Sequence, residues 1–245
     1  MIDIHCHILH NLDDGPSSRA KAVEMLNVAK ADGIDTIIAT PHFAQTTVSV
    51  IHSRLEELAE HAEQCGIKLL PGCEYTLNDF SSELDNAILT LGQTNFVLVD
   101  INTASIPLFM EQLAFKAGLK CLRIILVHPE RLLSAKNLPR MIELHHHRIF
   151  FQVNAASING KSGRLAQVMA EKMIVAGICD YIASDAHNIK SRSFEMQKAK
   201  LRVNSLFGSN AAETIFGINP KLLLNNEEPD SSAFKRKSIF SLWRR

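Results

Sequence analysis

The sequence predicts an α/β protein on the β/α-barrel plan, with parallel strands inside and helices outside. Three observations carry the prediction. Short β-rich runs alternate with amphipathic stretches along the chain. Gly33, Gly66, Gly118 and Gly177 each stand just past a helical stretch, where a helix stop belongs. Nearly every β-rich run leads into a polar or titratable residue: His5, His7, His42, Glu74, Asp100, His128 or Asp185.

Taken in order, residues 2–4 read as the first strand, Ile-Asp-Ile running into His5. Residues 17–31 follow as a helix closed by Gly33. The second strand, 36–39, ends at Thr40-Pro41-His42, and a helix over 51–65 closes at Gly66. The third strand, 68–70, approaches Gly72-Cys73-Glu74. The fourth, 96–99, is tipped by Asp100 and followed by a helix over 106–117. Residues 123–127 run into His128 and precede a helix over 135–145. Residues 150–153 precede a helix over 164–176, and 181–183 lead into Ser184-Asp185. That makes seven strands. In a β/α barrel the C-terminal strand ends build one site, so these residues, scattered in sequence, are expected to converge.

Composition narrows the function classes. The 245 residues are 46% hydrophobic and 21% charged, ordinary globular usage. With aromatics at 6%, the core must be aliphatic. Lys+Arg and Asp+Glu are 26 each, so the whole chain has no basic field for nucleic acid. The balance is uneven, because residues 234–245 carry five basic side chains and no acid, leaving the body at about −5. Histidine is over-represented at 11 residues. The five cysteines form no CxxC pair, and the chain opens directly into a strand. Both features read as a cytoplasmic protein with reduced thiols and no signal peptide. No apolar run is long enough to span a membrane.

His5-Cys6-His7 is the first metal anchor. Residues i and i+2 of a strand share a face, so two imidazoles address one ion while Cys6 points into the packing. Alone the motif is weak. It is followed by Asp13-Asp14-Gly15, Thr40-Pro41-His42, Gly72-Cys73-Glu74, His128-Pro129-Glu130-Arg131 and Ser184-Asp185-Ala186-His187. Together these make a strong metal signature.

The pattern resembles the PHP (polymerase and histidinol phosphatase) superfamily, and within it the bacterial protein-tyrosine phosphatases of capsule and exopolysaccharide systems. The similarity spans about residues 1–225 and includes MIDIHCHILHNLDDGP, TPHF, LVHPERL, FQVNAASINGKSGRLA, YIASDAHN and the closing segment Asn219-Pro220-Lys221-Leu222-Leu223. The resemblance implies a distorted seven-stranded β/α barrel with three metal ions, usually manganese. It implies that His5, His7 and Asp185 hold one ion, and that Glu74 bridges it to a second held by Asp100 and His128. Asp14, His42 and His187 would hold the third. Mixed imidazole and carboxylate donors suit Mn, Fe or Zn, and the absence of thiolate argues against a structural zinc cage. Five carboxylates (Asp13, Asp14, Glu74, Asp100 and Asp185) need cations to compensate them. Asp13 reads either as a member of this set or as an acid at a helix N-terminus. Clustered divalent ions suit phosphate-ester hydrolysis, because they activate water and clamp the attacking and leaving oxygens. Arg131 and Arg192 match positions the family uses against the phosphate, where a planar guanidinium binds two oxygens at once.

The chain departs from the family at several points. His10-Asn11 replaces a common Pro-Gly, with His10 read as a loop histidine. Asp100 stands where glutamate is common, Tyr75 follows Glu74 at the expected pocket rim, and Ser191 and Ser193 replace prolines around Arg192. No cysteine is followed six positions later by arginine, so a thiolate tyrosine phosphatase is excluded. Gly160-Lys161-Ser162 lacks the first P-loop glycine and reads as a tight loop before a helix; there is no GxSxG elbow. His145-His146-His147 reads as a solvated helix end.

The resemblance implies a metal-dependent phosphotyrosine phosphatase whose partner is a tyrosine kinase controlling polysaccharide export. A small-molecule phosphatase such as histidinol phosphatase shares the metal set, and a non-catalytic regulator of the same fold is the third possibility. The absence of a long insertion in the first half favours an open site. Residues 226–245 read as a polar linker and a mobile basic tail, which either solubilises or touches a membrane surface or partner.

Overall fold

The computed structural model describes residues 1–103, 105–132 and 137–231. Its strands are β1 (Ile2–Cys6), β2 (Thr36–Ala39), β3 (Lys68–Pro71), β4 (Glu74–Thr76), β5 (Phe96–Asp100), β6 (Arg123–Val127), β7 (Phe150–Asn154) and β8 (Tyr181–Ala183). Its helices are α1 (Arg19–Ala31), α2 (Val48–Gln64), α3 (Leu77–Glu83), α4 (Met110–Leu119), α5 (Asn137–His146), α6 (Ala155–Ile158), α7 (Arg164–Ala176), α8 (Met196–Phe207), α9 (Ser209–Glu213) and α10 (Asn219–Leu224). All strand pairs are parallel.

The sheet differs from the expected seven strands. Among the described residues there are eight, in a three-stranded sheet β1-β2-β3 and a five-stranded sheet β4-β5-β6-β7-β8. The extra strand arises where one run was expected to carry on to Glu74. Chain continuity breaks at Gly72, where an added Cβ would lie 2.8 Å from Ile38 Cγ2, so the backbone is pressed against β2. Isolated bridges Cys6–Ala186 and His42–Glu74 connect the sheets at their two junctions.

Strand side chains alternate between two apolar clusters. Ile38, Phe96, Leu98, Ile125, Val127 and Tyr181 share one cluster with Ile2 and Ile4. Ile37, Val97, Val99, Ile124, Leu126, Phe151 and Ile182 pack outward with the helices. Such strands, buried on both faces, read as continuous apolar runs. Register shifts between Asp3 and Cys6 in β1. A shift of this kind re-aims side chains. Here Cys6 enters the outer cluster, while His5 and His7 face the strand ends.

Local chemistry sets the helix ends. Ser18 caps α1 by accepting from Lys21 N, so the helix begins at Arg19 rather than 17. Thr76 and Asp79 form a capping box on α3, which the sequence reading missed. Gly177 closes α7 at φ 70°. Gly118, expected as a stop, lies inside α4, and the left-handed residue there is Cys121. The same helix starts at Met110 rather than 106, past Pro107. The expected start of the fifth helix at 135 lies outside the described residues.

The stretch 226–231, expected as linker, bonds back to the body. Asn95 N donates to Asn226 Oδ1 at 2.9 Å, Arg123 donates to Asn226 O at 2.9 Å, and Arg148 pairs with Glu228. The basic tail beyond it lies outside the described residues.

Candidate metal centre

The strand ends bring the nine expected ligands into one cluster. His5 and His7 come from the end of β1 and just beyond it, Glu74 begins β4, Asp100 ends β5, and His128 follows β6. Asp185 and His187 follow β8, while Asp14 and His42 sit on the loops after β1 and β2. His128 and Asp185 hold left-handed backbones, φ 36° and 52°. Such conformations cost about 1–3 kcal/mol each and gather at functional sites.

Glu74 is the hub. Its Oε2 lies 3.5 Å from His5 Nε2, 3.2 Å from His7 Nε2 and 2.9 Å from His42 Nδ1. Its Oε1 lies 3.2 Å from His128 Nε2. Asp185 Oδ1 is 3.7 Å from His5 Nε2 and 3.6 Å from His7 Nε2. Asp14 Oδ1 is 3.1 Å from His187 Nε2 and 3.5 Å from His42 Nε2. Asp100 Oδ1 is 3.7 Å from His128 Nδ1. Among the described residues, three groups have ligand atoms close enough to share an ion: His5–His7–Glu74, Glu74–Asp100–His128, and His7–Asp14–His42–His187; Asp185, expected in the first, lies outside all three, and His7 joins the third as well as the first.

The donor set fits divalent ions. Glu74 Oε2 and His187 Nε2 are buried and make no well-aligned hydrogen bond, although His42 Nδ1 lies 2.9 Å from the first and Asp14 Oδ1 3.1 Å from the second. Buried polar atoms are rarely left so. Electrostatics agree. Burial favours neutral His7, but hydrogen bonds to Asp13 and Glu74 outweigh it and raise its pKa to about 10. Burial works against an ionised Glu74, yet His5, His128 and His42 hold it well below the carboxylate range. Burial depresses His187 to about 3, aided by the His7 charge. A cation in the cluster would take over the work these imidazolium charges do.

Asp13 is neither a direct member of a ligand group nor a helix-end acid. Its Oδ2 accepts from His7 Nδ1 at 2.6 Å and from His42 N at 3.1 Å, and its Oδ1 accepts from Gly15 N at 2.9 Å. It therefore turns His7 Nε2 toward the cluster.

Arg131 Nη1 lies 3.4 Å from Asp185 Oδ2, and Arg192 spans Asp185 Oδ1 at 3.3 Å and Asp14 Oδ2 at 2.7 Å. Both guanidinium groups are partly exposed at the cluster edge. A cleft of about 410 Å³ opens there, lined by Arg131, Asn154, Lys161, Asp185 and Arg192. A second, of about 450 Å³, opens beside Asp14, Lys21, His187 and Lys190.

Other expectations fail in part or hold. Tyr75 does not shape the rim: it is fully buried, its hydroxyl accepting from Leu89 N at 2.9 Å. Of the histidines expected as a solvated helix end, His146 and His147 are exposed at the end of α5, but His145 is not solvated, its Nε2 lying 3.0 Å from the buried Asp180. His10 is a loop histidine but a buried one, 3.1 Å from Glu57 and apart from the ligand groups. Burial raises the thiol pKa of Cys6, Cys73 and Cys179, the opposite of what a thiolate nucleophile requires.

Sequence reasoning missed the buried polar residues behind the ligands. His5 Nδ1 meets Gln152 Oε1 at 2.8 Å, and Asn154 donates to Asp185 Oδ2 at 2.8 Å. Glu130 Oε1 accepts from Ser157 Oγ at 2.6 Å and from Asn154 N at 3.2 Å. The available signal was polar Gln152 and Asn154 two apart on an otherwise apolar strand.

Comparison with known proteins agrees with the geometry. A family model for capsular polysaccharide synthesis, CpsB/CapC, matches residues 1–225. The tyrosine-protein phosphatase YwqE of Bacillus subtilis is 30% identical, over 99% of this chain and 100% of its own. A crystal structure from the work on YwqE of B. subtilis and CpsB of Streptococcus pneumoniae, described as unique metal-dependent tyrosine phosphatases, superposes with a TM-score of 0.87. It is 30% identical and covers 94% of this chain and 99% of that one. The phosphotriesterase homology protein of Escherichia coli, 10% identical at a TM-score of 0.57, covers 90% and 97% of the two chains and shares the fold alone. With one family model running from the first strand to the end of α10, this chain belongs to the CpsB/CapC family of capsular polysaccharide synthesis.

Proposed function

We propose that this chain is a metal-dependent protein-tyrosine phosphatase working in capsular or exopolysaccharide synthesis. One observation carries the reading: Glu74, a buried carboxylate with four imidazoles around its two oxygens, arranged to bridge adjacent cations. Full-length similarity to named tyrosine phosphatases supports it. We read β3 and β4 as one interrupted strand, so that the two sheets form a single distorted seven-stranded barrel, with residues 1–225 as the phosphoesterase unit.

In this reading His5, His7, Asp185 and Glu74 would hold one ion. Glu74, Asp100 and His128 would hold a second, and Asp14, His42 and His187 a third. Manganese suits these donors, as Fe and Zn also do. When bound, the ions supply Lewis-acid activation of water and of the phosphoryl oxygens. Asp13 holds His7 in the orientation that offers Nε2. Arg131 and Arg192 are catalytic residues that take the phosphoryl oxygens, exchanging their present contacts to Asp185 and Asp14 for the substrate. A tyrosine phenol, with a pKa of about 10, leaves far more readily than an alkoxide, so this set needs no dedicated acid. The substrate is a phosphotyrosine protein, read as a tyrosine kinase of polysaccharide export, and the chain works in the cytoplasm.

The test is hydrolysis of a phosphotyrosine peptide beside histidinol phosphate, with and without Mn²⁺ and after thiol alkylation. The reading expects metal-dependent peptide hydrolysis that survives iodoacetamide. Turnover of histidinol phosphate alone, or full loss on alkylation of the folded protein, overturns it.

A further inference from the structure

Strand β7 lends no ligand to the cluster, yet its two inward residues at that end are both amides. Gln152 and Asn154 are buried. Three hydrogen bonds link them to the site: His5 Nδ1 to Gln152 Oε1 at 2.8 Å, Gln152 Nε2 to Asn154 Oδ1 at 2.9 Å, and Asn154 Nδ2 to Asp185 Oδ2 at 2.8 Å. The direction of this chain follows from elementary chemistry. An ionised carboxylate only accepts, so Asn154 must turn its NH₂ to Asp185. Its oxygen then faces Gln152, which must donate. That leaves only the Gln152 carbonyl for His5, so His5 Nδ1 carries a hydrogen in either charge state, and it is Nε2 that faces Glu74 and Asp185 and offers its lone pair once the ring is neutral.

We propose that Gln152 and Asn154 are positioning residues, a one-way amide chain that fixes the tautomer of His5 and aims Asp185 at the same ion. The inference rests on His5 and Asp185 being ligands. It also explains an asymmetry between the paired imidazoles. His7 is backed by a carboxylate, Asp13, at 2.6 Å, and His5 by a neutral amide. A carboxylate behind His5 would add another negative charge to a cluster already holding Glu74, Asp185, Asp14 and Asp100. The amide orients the ring without that charge. It also joins two ligands far apart in sequence, so that a disturbance at Gln152 reaches both. Asn154 is fixed in turn at its backbone, where its N–H donates to Glu130 Oε1 at 3.2 Å.

The experiment uses the full chain. Long-range ¹H–¹⁵N spectra of histidine-labelled, Zn²⁺-loaded protein report which His5 nitrogen carries hydrogen. The expected result is Nδ1–H with Nε2 on the metal; His5 bound through Nδ1 in the wild type overturns the proposal without any variant. Mn²⁺ titration calorimetry then compares variants. Gln152→Leu removes both bonds and should weaken Mn²⁺ binding about 10–100-fold. Gln152→Glu keeps an acceptor for His5 and should retain its Nδ1–H signature, while losing the donor to Asn154. Wild-type Mn²⁺ affinity in folded Gln152→Leu overturns the amide chain alone. A wild-type protein that takes up no divalent ion overturns the metal reading, and this inference falls with it.

Discussion

Asp100 faces His128 Nδ1 across 3.7 Å, while Glu74 meets the other nitrogen of that ring at 3.2 Å. Burial raises the Asp100 pKa, so without an ion this carboxylate is the reluctant anion of the cluster. A glutamate there would extend the carboxylate by roughly 1–1.5 Å. Metal–ligand distances tolerate about 0.2 Å of misfit, so that reach decides whether the ion is held directly or loosely. Asp100→Glu is therefore expected to tighten the second ion and to keep or raise turnover, read as metal stoichiometry by ICP-MS after graded chelation. If Asp100→Glu and Asp100→Ala both leave stoichiometry and turnover unchanged, Asp100 is no ligand. At this scale the sequence was legible where a motif sends a side chain to the strand ends, as at His5, His7 and Asp185. It was opaque where two neighbours divide the work. The resemblance singles out Asp14 as the partner of His187, but leaves Asp13 open between a member of the set and a helix-end acid, and its turn back to orient His7 belongs to the tight turn it makes with Gly15.

That turn is an element in its own right, short and under pressure. A Cβ on Gly15 would lie 2.5 Å from His7 O and 2.9 Å from Asp13 Oδ1. Gly15→Ala must therefore push the loop off β1, moving Asp13 from His7 and Asp14 from His187 together. The expected outcome is weaker Mn²⁺ binding at the third position with little change in far-UV dichroism; wild-type affinity would show that the loop relaxes freely. The seam between β1 and β8 holds another buried acid, Asp3. Asp3 accepts from Ser184 N at 3.0 Å and from Ser184 Oγ at 2.5 Å, and burial raises its pKa to about 6. Its folded pKa exceeds the unfolded value, so its stabilising contribution is complete below about pH 3.8 and declines as pH rises through about 6. The span corresponds to roughly 3 kcal/mol. Asp3→Asn keeps the acceptor for Ser184 N and removes the titration. Urea unfolding of the metal-free protein from pH 4 to 7.5 should fall more steeply in the wild type than in the variant, and parallel curves would reject a titrating Asp3. Legibility at this scale followed periodicity. The long helices and apolar strands were visible because burial repeats along them, and α7 matched end to end. Short α3, α6 and α9 offer too few turns for a period, and the β3–β4 break depends on how closely Gly72 meets Ile38, a tertiary contact.

Over the whole molecule, one charge problem governs stability. Four candidate ligand carboxylates and Asp13 converge at one end of the fold, opposed by two arginines that reach only Asp185 and Asp14. Without ions some of the imidazoles compensate by carrying protons: hydrogen bonds to Asp13 and Glu74 raise His7 to about 10 although it is buried, while burial keeps His187 neutral. Ion uptake at pH 7 to 8 therefore displaces at least one proton, since His7 cannot hold both on Nε2. Affinity should rise with pH by up to about tenfold per unit for each proton released, up to the His7 pKa. Calorimetry in two buffers of different ionisation enthalpy reads the count directly. The same ions stabilise the fold by mass action, because they bind the folded cluster and not the unfolded chain. At an ion concentration 100 times Kd the gain is about 2.7 kcal/mol. For a chain of this size that is roughly 5–10 °C in Tm. Chelation should lower the melting temperature by that order, and Mn²⁺ should restore it in a concentration-dependent way. The effect should be steeper at pH 8 than at pH 6, where protons compete for the same nitrogens. A metal-free protein that melts with the loaded one, at both pH values, would mean that the imidazole and arginine charges already satisfy the carboxylates and that the cluster is structural without ions.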